Sequence, residues 1–258
     1  VRARVEDPAL VTPLRFLFPD YEVPAEAAAS DDAVVVVRRS GAAWTVADGR
    51  AIHACATSTE VAEAVEFALT EAFLRLFAEA VQVHAAGVVL HRGATLLIGE
   101  PGAGKTSLAF WFSRRGCPVL GDDVAILVPG GRARAFKRLF KVDPWLIGEA
   151  GLSLDRTRLW EPGASSAWYD PTDGGGWADE APVGAVALIE RIPGAPERLA
   201  TVPRSEALRA VLANRFATGT RGAPAFEILA DAVRGAQTLR LSFDSAARGA
   251  ELLATTLA

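Results

Sequence analysis

Residues Gly99-Glu100-Pro101-Gly102-Ala103-Gly104-Lys105-Thr106 spell G-x-x-x-x-G-K-[ST], the P-loop. That pattern needs a strand that delivers a glycine-rich turn to the N-terminus of a helix. The flanking sequence supplies both. Gly93-Ala94-Thr95-Leu96-Leu97-Ile98 reads as a buried strand entering the loop, and Thr106-Ser107-Leu108-Ala109-Phe110-Trp111-Phe112 as a helix leaving it. Glycines let backbone N–H groups turn inward around phosphate oxygens, and the helix points its positive end at them. Lys105 is placed to reach the terminal phosphates and Thr106 to offer its hydroxyl to Mg2+. Gly99, Gly102, Ala103, Gly104, Lys105, Thr106 and Ser107 are thus the candidate nucleotide-binding residues. Lysine is scarce here: three of the 27 basic residues are lysines, Lys105, Lys137 and Lys141, which leaves 24 arginines. A compact ammonium stands in the loop where arginine is otherwise the default cation, as phosphate binding in a tight turn requires.

The remaining bulk properties narrow the class. At 258 residues, half of them hydrophobic, the chain can bury a full core as one large domain or one domain plus an appendage. A net charge of −4 argues against a nucleic-acid-coating protein. No run approaches the length of a membrane span. The first residues, with Arg2, Arg4, Glu6 and Asp7, do not read as an apolar signal region, so the cytoplasm is the expected compartment. Cys55 and Cys117 lack metal-ligand spacing and read as ordinary small apolar residues.

Along the chain, residues 1–30 are rich in proline and alanine with no sustained period, and Ala33–Arg39 and Trp44–Ala47 read as two strands across Ser40-Gly41. Residues 1–57 are therefore expected to form a small N-terminal β unit and 58–258 the P-loop domain. Thr59–Glu79 follows a helical period, with Thr57, Ser58 or Thr59 as candidate caps. Gln82–Leu90 and Ala94–Ile98, separated by His91-Arg92-Gly93, predict an antiparallel hairpin that feeds the P-loop. After the P-loop helix, Cys117–Leu120 reads as a short strand ending in Gly121-Asp122-Asp123, and Val124–Val128 as the next strand. Glu161–Pro182 has the composition of a mobile surface loop, a candidate lid. Beyond it the pattern predicts a strand over Val183–Ile192, a helix over Pro203–Phe216, a strand over Thr238–Phe243 and a closing helix over Ser245–Leu257.

A P-loop needs a carboxylate to complete the shell of its metal, and open α/β sheets place ligands at the carboxyl ends of their strands. Asp122 and Asp123 sit at such an end. In extended chain successive side chains point to opposite faces, which suits one carboxylate for the metal and the other for a substrate hydroxyl.

The runs Val83-His84-Ala85-Ala86-Gly87-Val88-Val89, Gly99–Ser107 and Arg115-Gly116-Cys117-Pro118-Val119-Leu120-Gly121-Asp122-Asp123 together resemble the HPr kinase/phosphorylase superfamily. That family carries a Val-His-Gly-like hairpin strand before its P-loop and an Arg-Gly-x-x-x-Leu-x-Asp-Asp strand behind it. The resemblance implies an α/β fold: a P-loop kinase core of the HPr kinase/PEP carboxykinase-like type with a mixed sheet, preceded by the small β-containing unit. It implies ATP and Mg2+, with Asp122 as general base for a serine hydroxyl and His84 orienting or tuning it. Asp123 and Thr106 would hold Mg2+, and Lys105 would stabilise the transferring charge. The two aspartates could exchange roles.

A match to the family's later Glu-Ile-Arg-Gly signature is missing, which puts a reverse, phosphorolytic reaction in doubt. The compact form looks like the HPr-kinase-related proteins of peptide-modifying pathways, including lasso-peptide tailoring kinases that act on a C-terminal serine. The implied partner is a peptide or small protein with a serine hydroxyl, with no nucleic acid or membrane partner; a homo-oligomer is compatible with the sequence. A kinase of a small hydroxylated metabolite and a non-kinase nucleotide-binding switch are the alternatives. A switch would call for a water-positioning glutamine or similar group, and none is identifiable from the sequence. One further cluster stands out: Arg132, Arg134, Lys137, Arg138 and Lys141, with no acid among them, read either as a solvated edge or as a contact surface for the nucleotide or an acidic substrate.

Overall fold

A computed structural model describes residues 3–17, 35–77, 79–152 and 167–258. The chain runs β1 (Ala3–Val5), α1 (Pro8–Leu17), β2 (Val35–Ser40), β3 (Ala43–Ala47), β4 (Ile52–Cys55) and α2 (Ser58–Arg75). It continues through β5 (Val81–Val83), β6 (Ala86–Leu90), β7 (Gly93–Ile98), α3 (Lys105–Arg114), β8 (Val119–Gly121), β9 (Ala125–Val128), β10 (Arg132–Arg134), β11 (Phe140–Val142) and α4 (Pro144–Glu149). The last part holds β12 (Ala167–Tyr169), β13 (Glu180–Arg191), β14 (Arg198–Thr201), α5 (Arg204–Ala213), β15 (Arg215–Gly219), α6 (Gly222–Arg234), β16 (Gln237–Phe243) and α7 (Ala246–Leu257). It is an α/β chain with mixed sheets. Among the described residues, no helix is long and apolar enough to cross a membrane.

Two compact units form. The first comprises residues 1–76 and 143–168, the second 77–142 and 169–258. The first unit takes in α2, which packs on β2, β3 and β4. The first unit is a four-stranded sheet in the order β1-β2-β3-β4. The hairpin expected across Ser40-Gly41 is present with Arg39 opposite Trp44. Thr57 is the N-cap of α2, its side chain accepting a hydrogen bond from the Glu60 N–H at 3.2 Å. Residues 3–17 form a strand and a helix where the composition showed no sustained period. Asp7 accepts from the Ala9 N–H at 3.0 Å and from Trp44 Nε1 at 2.9 Å, which ties the start of α1 to β3. Residues 33–34 of the expected first strand lie outside the described residues.

In the second unit β13 is the spine. Its first residues pair antiparallel with β10, its middle pairs parallel with β7, and residues 185–191 pair parallel with β16. Beyond β7 come β6 and β8, each antiparallel to its neighbour. β7, β8, β13 and β16 therefore run in one direction. The expected hairpin β6–β7 is present, its turn shortened to His91-Arg92 with Leu90 opposite Gly93. β5 is a separate strand, however, paired with β9 and β15, because the chain breaks at His84-Ala85. β7, which enters the site, is buried on both faces: residues 94–98 are all buried. One face receives Ala207 and Val211 of α5 together with Ala225, Ile228, Leu229, Ala232 and Val233 of α6. α3 and α7 pack on each other, α3 against β6 and α7 against β16. The helix expected over Pro203–Phe216 stops at Ala213, Arg215–Gly219 is the strand β15, and α6 and β14 are further additions to the pattern expected from sequence.

The described residues of the candidate lid before β13 are closely packed. Residues 161–166 lie outside the described residues, but the described remainder is stitched to the P-loop helix and to β8. Tyr169 is fully buried, 3.0 Å from Ser113 Oγ and edge-on to Phe110. The Gly175 N–H donates to Ser113 O at 2.8 Å, and the Val119 N–H to Gly176 O at 2.9 Å. A Cβ on Gly175 would stand 2.0 Å from Cys117 O, so the glycine is there for close backbone approach, not for motion. Gly175→Ala is accordingly expected to destabilise the protein by about 2 kcal/mol or more. Gly235→Ala, where nothing lies within 4 Å of the added methyl, should be near neutral. Urea denaturation of the two variants checks the contrast.

Candidate functional site

Strand direction gathers the expected residues. The P-loop follows the carboxyl end of β7 and Asp122-Asp123 follows the carboxyl end of β8. β6 lies between them and runs the other way, so His84, just before its start, falls on the same edge of the sheet. All three segments belong to the second unit.

The loop has the backbone its glycines require. Gly104 is the N-cap of α3 at φ 92°, ψ 22°, a left-handed conformation, and a Cβ there would also stand 2.9 Å from Phe243 Cζ. Gly99 lies against Ile189 of β13, where a Cβ would come within 2.6 Å of the carbonyl oxygen. The side chain of Lys105 is folded over the loop: Nζ donates to Gly99 O at 2.8 Å and to Glu100 O at 3.2 Å. Lys105 is only 6% exposed. Burial pushes its ammonium below the usual lysine range, opposed by the negative charges of Asp123 and Glu100. An ammonium desolvated beside carbonyls and carboxylates is a group that further anionic oxygens would stabilise.

The two aspartates occupy different environments. Asp122 is buried: Thr106 Oγ1 donates to its Oδ2 at 3.3 Å, and Arg138 Nη2 lies 3.4 Å from its Oδ1. Asp123 keeps 40% of its side chain exposed and faces His84, whose Nδ1 is 3.0 Å from Oδ1. Burial acts to raise the Asp123 carboxyl, but the hydrogen bond and charge of His84 outweigh it together with the charges of Arg138 and Lys105. It titrates below the usual carboxylate range. His84 is itself held in place, its backbone N–H donating to Asn214 O at 2.7 Å and its ring meeting Phe216 edge-on at 6.0 Å.

The structure brings the expected residues to one end of the sheet, with a pairing that the sequence left open. The hydroxyl of Thr106 meets Asp122, not Asp123, and His84 meets Asp123, not Asp122. Arg138 is the residue that sequence reasoning placed in the wrong company. Of the five clustered cations, Arg132 and Arg134 both pair with Glu180, and Lys137 lies 2.7 Å from Asp179. Arg138 instead turns inward, its side chain 9% exposed, between Asp122 and Asp123. A cation followed by Leu139 and Phe140, which are buried, was the available signal.

The donor set suits a hard divalent ion. A threonine hydroxyl and a carboxylate converge within 3.3 Å at the N-terminus of α3, and oxygen ligands of this kind are those that Mg2+ takes. Among the described residues no group of three or more His, Cys, Asp or Glu side chains could hold a metal by itself, so such an ion would complete its shell from bound phosphates and water. Cys55 and Cys117 are free thiols, both pushed up by burial, in keeping with the inert role expected of them.

No protein-family model matches the chain and no curated protein matches it. Among solved structures the chain is similar to the Hpr(Ser) kinase/phosphatase from Coxiella burnetii, at 14% identity and a TM-score of 0.35, over 67% of this chain and 91% of that one.

Proposed function

We propose that this protein is a Mg2+–ATP-dependent phosphotransferase that passes the γ-phosphoryl group to a serine hydroxyl of a peptide or small protein. The observation that carries the reading is the His84–Asp123 pair, 3.0 Å apart, on the same sheet edge as Lys105, Thr106 and Asp122. A nucleotide-binding switch needs the phosphate cradle and one carboxylate for its metal, but has no use for a second carboxylate oriented by a histidine beside them. The motif resemblance described above points the same way.

In this reading the roles of the two aspartates follow their partners. Thr106 and Asp122 hold the metal, and Asp123, oriented by His84, accepts the proton of the attacking hydroxyl. The metal, when bound, neutralises charge on the phosphate oxygens. Lys105 leaves the carbonyls of Gly99 and Glu100 for the β- and γ-phosphates. The positive end of α3, which starts at Lys105 behind the N-cap Gly104, would favour the same oxygens. As the bond from the serine oxygen to γ-phosphorus forms, the bond to the bridging oxygen of the leaving ADP breaks, and the serine proton passes to Asp123. The exposed flank of Asp123 suits an acceptor hydroxyl that arrives on a larger chain, a C-terminal serine of a lasso-type peptide being one such substrate.

Intact-mass spectrometry of serine-containing peptides and of small hydroxylated metabolites, incubated with the protein, Mg2+ and ATP, tests the proposal. A phosphate adduct on peptide serine is the expected result. Transfer to metabolites alone would replace the acceptor, and nucleotide binding with no transfer to either panel would favour the switch.

A further inference from the structure

Arg138 is fixed from both ends. The backbone of its segment is tied to β8 through the Phe136 N–H, which donates to Leu120 O at 2.8 Å, and the neighbouring side chains Phe136 and Leu139 are buried. The guanidinium carbon lies 5.8 Å from the centre of the Phe136 ring, and Nη2 reaches Asp122 at 3.4 Å and Asp123 at 3.9 Å. Arginine stays protonated at any working pH, so this charge cannot step aside by losing a proton.

We infer that Arg138 is a placeholder cation. It occupies one flank of the Asp122 carboxylate while Thr106 holds the other, and so makes the divalent metal enter only in company with nucleotide phosphates. This inference rests on the reading of Thr106 and Asp122 as the metal pair.

The reasoning is electrostatic. Two adjacent carboxylates beside a hydroxyl would by themselves attract a divalent cation from solution. A fixed guanidinium within hydrogen-bonding range of the same carboxylate both offsets that charge and repels the incoming ion. Lys105, close enough for its charge to act on Asp123, adds to the repulsion. A nucleoside triphosphate reverses the balance, because its oxygens offset Lys105 and Arg138 and supply ligands for the metal at once. Arg138 is thus a positioning residue: it orders the entry of metal and nucleotide and keeps the empty site from trapping free metal.

The test is a titration with Mn2+ alone, read by the electron paramagnetic resonance of free Mn2+, on the full chain without nucleotide. Arg138→Gln should bind Mn2+ at least about tenfold more tightly than the unaltered protein, and Arg138→Lys, which keeps the charge, should stay close to it. A residue with a purely structural role would lose metal affinity on substitution, not gain it. Circular dichroism verifies that the variants fold. Should Arg138→Gln not fold, the unaltered protein still decides the matter: with the Mn2+ held by ADP in solution measured separately and subtracted, Mn2+ should bind the protein at least about tenfold more tightly with saturating ADP than without it. Equal Mn2+ binding by the unaltered protein and Arg138→Gln, or by the unaltered protein with and without ADP, overturns the inference and leaves the kinase reading intact. Failure of the unaltered protein to bind a fluorescent ATP analogue with Mg2+ would sink both.

Discussion

Lys105→Ala is expected to abolish phosphoryl transfer, with kcat/KM reduced about 10^3-fold or more, equivalent to about 4 kcal/mol of transition-state stabilisation. The size of the effect follows from where the ammonium sits. Lys105 is almost completely buried, on the first residue of α3, and desolvation already lowers its preference for charge. A cation in that state is stabilised most by the additional negative charge that develops as the γ-phosphoryl group leaves. Arginine should not rescue it, because the loop closes on the side chain through the carbonyls of Gly99 and Glu100, and a planar guanidinium fork does not fit a place shaped for a point charge. Thermal melting separates the chemical effect from a folding one: the variant should melt within a few degrees of the parent, since the lost contacts are two hydrogen bonds on a surface loop. Residual transfer at more than about a tenth of the parent rate would remove Lys105 from the mechanism.

Much of this was legible in the sequence, for reasons that differ from element to element. The P-loop is read directly because phosphate binding needs particular residues at fixed spacing, and Gly104 at φ 92° pressed against Phe243 shows the constraint at work. The hairpin β6–β7 was readable from two apolar runs and a short turn. What distance along the chain could not reveal is which side chain meets which across the sheet. His84 is 38 and 39 residues from the aspartates, and its choice between them depends on the break at His84-Ala85 that frees β5 from β6. Arg138 looked like one more member of a basic cluster until burial set it apart from Arg132 and Arg134, whose charges Glu180 absorbs. Two of the three glycines of Asp173-Gly174-Gly175-Gly176-Trp177 carried the opposite meaning from the one their composition suggests. In a surface loop glycine gives freedom, and Gly176 at φ 74° uses it, but Gly174 beside Ser113 and Gly175 beside Cys117 give closeness. Composition cannot separate these two uses, because the difference lies in what the Cβ would have touched.

Asp123→Asn and Asp122→Asn should fail in different ways, and the difference is the second large effect expected of this site. If Asp123 takes the acceptor's proton, its amide variant should lose kcat by about 10^3-fold while binding Mg2+–ATP as well as the parent, since Asn is close in size and keeps the contact with His84. If Asp122 holds the metal beside Thr106, Asp122→Asn should weaken Mg2+-dependent ATP binding by about tenfold or more, because it replaces an anionic ligand with a neutral one. Isothermal titration with Mg2+–ATP and single-turnover transfer, run on both variants, distinguish the roles. The reverse outcome would restore the assignment in which Asp122 is the base. The pH profile adds an independent check. The Asp123 carboxyl lies below the usual range, so the group is ionised and able to accept a proton throughout the neutral region, and the acid limb of kcat/KM should fall below the ordinary carboxylate range. His84→Gln removes the charge and most of the hydrogen bond that outweigh burial, so in that variant the acid limb should move upward, towards neutrality. A limb that stays where it was would mean that His84 does not act through Asp123, and that the 3.0 Å contact only holds the break between β5 and β6 in place.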